Sequence, residues 1–163
     1  MPSVECGREE VVRGELRVVA PHRVRGAEIA TRLACAFSLA RDVAAYASRP
    51  GLLIERDPLT CLAPDVVVYW RERMVVDDHD VLCSPPDLII EILSPSETKR
   101  RKQTKLDNYA RIGVPEAWIV SPEAQHVEIW LLRDGKLIRE RIVAEGNLQP
   151  TQFPGVSIPT AEI

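Results

Sequence analysis

The stretch "PPDLIIEILSPSETKRRKQTKLDNY", from Pro85 to Tyr109, decides the fold. Its first half, Leu88-Ile89-Ile90-Glu91-Ile92-Leu93, is an apolar run broken by one carboxylate. Strand side chains alternate between faces, so Glu91 shares a face with Ile89 and Leu93, while Ile90 and Ile92 take the other. Apolar residues on both faces mark a central strand covered on each side. An edge strand with Glu91 turned to water is the competing reading. In a central strand an ionised Glu91 costs on the order of several kcal/mol unless something neutralises it. The candidates are a buried Lys or Arg, a shared proton, or a metal ion.

The second half of the stretch reads as a helix ending near Ile112, with Gly113 as its C-cap and Pro115 beyond. Ser94-Pro95-Ser96-Glu97 fits a capping box with Pro95 at the first helical position, and Ser96 is the competing cap. Lys102, Lys105, Leu106 and Tyr109 are linked by steps of three and four. Leu106 and Tyr109 should face the core, which leaves Lys105 at the border. Its stem can lie along apolar surface and carry the ammonium to the strand ends. Segment 97–105 carries five cations and one acid, and reads either as a solvated helix face or as a phosphate-backbone contact.

Upstream, "PDVVVYW" from Pro64 to Trp70 is a short apolar strand opened by Asp65. An Asp after Pro at a strand start is ordinarily a turn residue. Next to Glu91 on an adjacent strand it becomes half of a carboxylate pair, the oxygen ligands that Mg²⁺ prefers.

Further out, "VVRGELRVVAP" reads as two strands around Arg13-Gly14, and the Ala-rich segment from Arg25 to Ala47 as one helix stopped by Pro50-Gly51. "GLLIERDPLTCLA" reads as a strand and a loop, and the residues up to Pro86 as a polar connection. "EAWIVS" and "HVEIWLL" are strands separated at Ser121-Pro122, and Asp134-Gly135 turns the chain into "KLIRERIV". The order is β-β-α-β-β-β-α-β-β-β: an α/β or α+β domain over residues 1–163 with one central mixed sheet flanked by helices.

The totals narrow the chemistry. A net charge of -3 and a pI near 5.7 exclude a globally basic nucleic-acid binder, so any anion site must be local. The cysteines at 6, 35, 61 and 83 lack metal-ligand spacing and read as reduced core or boundary residues. The three histidines have no ligand spacing either. "DDHD", Asp77 to Asp80, reads as a solvated loop, and Trp118 and Trp130 as core. No Walker loop, G-x-S-x-G or dinucleotide fingerprint is present. No signal peptide or membrane span is legible, which makes a reducing cytoplasmic compartment the expectation.

An Asp opening one strand, a Glu inside the next and a nearby Lys resemble the PD-(D/E)XK nuclease superfamily. "PDVVVYW", "PPDLIIEILSPS" and "TKLDNYARIGVPEAWIVSPEAQHVEIW" resemble more closely the Uma-two family of restriction-endonuclease-like proteins. That family's pattern is a P-D strand, then E-x-x-S-P-S, a K-L-x-x-Y helix and G-V-P-E-x-W. The late "FPGVSIP" is also similar, and the resemblance runs over residues 9–159. It implies a restriction-endonuclease-like fold and phosphodiester hydrolysis, in DNA, with Mg²⁺ or Mn²⁺. Asp65 and Glu91 would hold the metal with the Ile92 carbonyl, and Lys105 would supply the lysine of the motif. Glu28, in the first long helix, would be the superfamily's additional acid; Lys102, three residues before Lys105, is a further candidate by helical spacing. A homodimer fits the superfamily. Two positions depart from the pattern: Leu93 stands where the motif lysine usually lies, and Arg101 where relatives carry an Asp. The alternative they favour is an inactive nucleic-acid- or protein-binding module on the same fold.

Overall fold

Arg13 and Gly14 both take positive φ, 53° and 78°, which suits a two-residue hairpin loop. They join β1 (Arg8–Val12) to β2 (Glu15–Val19) in the computed structural model, which describes residues 8–19, 24–47, 50–95 and 98–163. The loop is tied down at Gly14, whose N–H donates to the Leu59 carbonyl at 2.7 Å, and at Arg13, whose N–H donates to Thr60 Oγ1 at 3.1 Å.

Helix α1 (Val24–Ser38) buries Ile29, Ala30, Leu33, Ala34 and Phe37, one apolar stripe at helical spacing. It stops at Ser38, earlier than its composition suggests. Asp42 reverses the chain with φ 60°, and Val43–Tyr46 becomes strand β3. The sequence reading carried the helix through to Ala47. Alanine's helix preference is worth only about a few tenths of a kcal/mol per residue over most alternatives. Pairing along a whole sheet edge, Val43 with Trp70 through Tyr46 with Val67, outweighs it.

The chain continues through β4 (Leu52–Arg56), β5 (Leu59–Leu62), β6 (Val66–Trp70) and β7 (Leu88–Ile92) to α2 (Lys99–Arg111). After it come β8 (Glu116–Ser121), β9 (His126–Arg133), β10 (Lys136–Val143), β11 (Asn147–Leu148) and β12 (Ile158–Pro159). The expected single mixed sheet is divided. Six strands in the order β10-β9-β8-β7-β6-β3 form the central sheet, parallel only between β7 and β8, and β2-β1-β5-β4 form a separate antiparallel sheet. The residues read as a loop after β4 are β5, which pairs back on β4 and also meets β1. The pair β11-β12 organises part of the tail.

Every residue of β7 is buried, so the central-strand reading of the apolar run holds and the edge-strand reading does not. Leu88, Ile90 and Ile92 pack with α1, Trp118 and Phe153 on one side of the sheet. Phe37 anchors that layer, 5.8 Å from Trp118 and 5.7 Å from Phe153 between ring centroids. On the other side, Ile89 packs with Leu106 and Tyr109 of α2 and with Leu52 and Leu62 of the smaller sheet. Each such side chain fully removed from water contributes about 1.5–3 kcal/mol, so both layers hold β7 in place.

Candidate active site

The antiparallel register of β6 and β7 sets Val66 opposite Ile90, so Asp65, just before β6, comes level with Glu91. Asp65 is buried, and its Oδ2 accepts the Ile92 N–H at 2.8 Å. It thereby takes the place of a backbone carbonyl where the β6 ladder ends.

Glu91 faces α2. Its Oε2 accepts from Lys105 Nζ at 2.7 Å, and its Oε1 accepts from the Tyr109 hydroxyl. Lys105 and Tyr109 are four residues apart on one face of α2, which is why both reach the same carboxylate. The helix is fixed at each end. The Thr98 hydroxyl caps its start, accepting from Arg101 N–H at 3.2 Å. At its finish Gly113 N–H donates to the Ala110 carbonyl and Val114 N–H to that of Tyr109, with Gly113 at φ 82°. The cap is therefore Thr98 rather than Ser94; Ser96 and Glu97 lie outside the described residues.

The sequence reading missed one acid. Glu10 on β1 is 5% exposed, and its Oε1 accepts the Ala63 N–H at 3.3 Å. Its charge acts on Lys105 and Tyr109, so it belongs to the same cluster. Glu10 and Val12 alternate onto one face of β1, and the structure buries that face; the alternation alone does not mark the acid as part of a site.

The electrostatics follow from burial. Desolvation is the main reason the Glu91 pKa rises, to about 7; Asp65 adds to the rise, while Lys105 and Tyr109 oppose it. Burial alone would pull Lys105 down, but the charges of Glu91, Glu10 and Asp65 outweigh it and hold the ammonium above the usual lysine range. Burial and then Glu91 push Tyr109 well above the usual tyrosine range, so its hydroxyl stays a donor.

Of the residues singled out from sequence, Asp65, Glu91, Ile92 and Lys105 come together. Lys102 does not join them: its Nζ lies 3.1 Å from Glu128 Oε2 and 5.6 Å from the centre of the Trp130 ring. Glu28 does not either, since it is exposed on α1, pairs with Arg32, and α1 covers the opposite side of the sheet. Trp118 is core as expected, whereas Trp130 is only partly buried. Cys35 is exposed rather than boundary, Cys61 and Cys83 are half-buried, and Cys6 lies outside the described residues.

Among the described residues, no group of three or more His, Cys, Asp or Glu side chains is gathered so as to hold a metal ion. The donor chemistry still suits a hard divalent cation, because Mg²⁺ usually takes only one or two carboxylates and completes its shell with water and phosphate oxygens. The Asp65 charge also disfavours ionised Glu91, a repulsion that a cation between them would reverse.

Residues 5–161 match the Uma2 family, described as "Putative restriction endonuclease". Among solved structures, the fold is similar to that of "a putative nuclease belonging to DUF820 from Anabaena variabilis ATCC 29413", with a TM-score of 0.78 and 14% identity over 99% of this chain and 92% of that one. No curated protein matches. At that identity the structural likeness establishes the fold alone. The family match spans nearly the whole chain: this protein belongs to the Uma2 family.

Proposed function

We propose that this protein is a metal-dependent nuclease that hydrolyses phosphodiester bonds in DNA, with Asp65, Glu91 and Lys105 as its centre and Glu10 as the additional acid in place of Glu28. The observation that carries the reading is the Lys105 ammonium, 2.7 Å from a Glu91 carboxylate that lies beside Asp65. It is the lysine that Leu93 cannot supply, delivered from α2.

Asp65 and Glu91, with the Ile92 carbonyl, would hold Mg²⁺ or Mn²⁺. Such an ion, when bound, lowers the pKa of its water and polarises a phosphoryl oxygen. The chain's own groups do the rest. Lys105, kept protonated by the acids around it, stabilises the negative charge that develops on the phosphate. Tyr109 keeps the Glu91 carboxylate oriented by donating to one oxygen while Lys105 holds the other. Asp65 is fixed by the Ile92 N–H, so its second oxygen keeps a defined direction.

We read residues 1–163 as one domain acting in the cytoplasm as a homodimer. No helix among the described residues is long and apolar enough to cross a membrane. The test is cleavage of supercoiled plasmid, single-stranded DNA and RNA in Mg²⁺, Mn²⁺ or EDTA, with Glu91→Ala purified in parallel. The reading expects cleavage of DNA that needs metal and vanishes in Glu91→Ala. Absence of cleavage on every substrate overturns it and leaves a binding module.

A further inference from the structure

A cleft of about 790 Å³ runs between the β1–β2 hairpin and α2, and Glu10 and Lys105 are part of its lining. It therefore opens onto the carboxylate cluster. Arg13 and Arg17 line it from the hairpin, and Arg100 and Arg101 from the helix. All four are exposed, and among the described residues none forms an ion pair. In a chain with net charge -3, this concentration of unmatched guanidinium groups is local.

Its position is also electrostatically adverse. The first turn of α2 holds Lys99, Arg100, Arg101 and Lys102 and no acid. A helix N-terminus carries positive partial charge and favours anions, so cations there oppose the dipole. A local preference broken in this way points to an occupant that offsets it. Arg13 sits in a left-handed conformation and is pinned through its N–H to Thr60, which fixes the opposite wall.

We infer that this cleft grips the sugar–phosphate backbone of a single nucleic-acid strand, with the hairpin on one side and the helix on the other. On the hydrolytic reading above, on which this part rests, it delivers a phosphodiester to Lys105. Among the described residues no aromatic ring lines the cleft, which leaves bases nothing there to stack on. Recognition is then by phosphate charge: indifferent to sequence and steeply dependent on salt.

The test is fluorescence anisotropy of labelled single-stranded and duplex oligonucleotides of several sequences, in EDTA, across a range of salt. The wild type is compared with Arg17→Gln/Arg100→Gln/Arg101→Gln and with a control lacking three cations outside the cleft, Arg41→Gln/Arg133→Gln/Lys136→Gln. The cleft triple should bind single strands about ten- to a hundredfold more weakly near ~0.1 M salt and flatten the log–log salt slope by about 2, at ~0.7 per lost contact. The control should stay within about twofold, since its charges act only through screened distance. Equal binding by wild type and triple, equal loss in both triples, or binding of duplex with rejection of single strands would overturn the inference. The two proposals fail separately. Wild type that binds through the cleft yet cleaves nothing with metal removes the hydrolytic reading alone. Cleavage that the triple leaves untouched, with binding unchanged, removes the grip alone.

Discussion

Replacing Glu91 by Gln should stabilise the metal-free protein above neutral pH. Glu91 lies almost wholly out of water, and its pKa rises from 4.5 to about 7, chiefly through desolvation. The sign follows from proton counting. Between 4.5 and about 7 the folded chain holds a proton on this group that the unfolded chain has released. Stability therefore falls as pH climbs through that window, then levels off. At ~1.4 kcal/mol per pH unit the penalty saturates at about 3 kcal/mol. Gln is neutral at every pH and escapes it. Urea unfolding in EDTA at several pH values would read the difference directly. Wild type and Glu91→Gln should converge near pH 5, and by pH 8 the variant should lead by up to about 3 kcal/mol, or ~6–12 °C in melting temperature. A variant less stable than wild type at pH 8 would refute the reasoning, because it would mean that the Lys105 pair outweighs the cost of burying the charge.

Other outcomes follow from the same cluster. At pH 8, Mg²⁺ or Mn²⁺ at about a hundred times its Kd should stabilise wild type by ~2.7 kcal/mol, and Asp65→Asn much less, as read by thermal melts. Tyr109→Phe leaves one Glu91 oxygen without its donor and should cost about 1–3 kcal/mol above pH 7 in urea unfolding, with a smaller loss near pH 5 where Glu91 is neutral. Thr98→Ala removes the cap of α2 and should cost about 1 kcal/mol with little dependence on pH.

The core of the fold was legible because β7 announces itself: an apolar run on both faces needs cover on both faces, and α1 and α2 supply it. Asp65, Glu91 and Lys105 were legible because a carboxylate in such a strand requires partners, and helical spacing put Lys105 within reach. What failed to show is tertiary in origin. Val43-Ala44-Ala45-Tyr46 carries no strand signal of its own and becomes β3 only because β6 offers an edge. The smaller sheet forms because β5 pairs with both β4 and β1, a contact between distant segments. Glu10 was hidden for the same reason: an acid in a short polar-looking strand is ordinary until that strand is laid over the site. Glu28 drew attention through its helix, but its side of α1 faces solvent. Thr98 was passed over for Ser94 and Ser96 because the capping-box pattern drew the helix start forward, and only the fold determines where the helix begins.

The most direct test is the rate of plasmid cleavage by Lys105→Met, measured with metal beside wild type and Glu28→Gln. On the role proposed for Lys105, stabilising charge on the phosphate, its loss should slow cleavage by about a hundred- to a thousandfold. Glu28→Gln, on the exposed face of α1, should cleave like wild type. Full activity in Lys105→Met, or an equal loss in Glu28→Gln, would contradict the account.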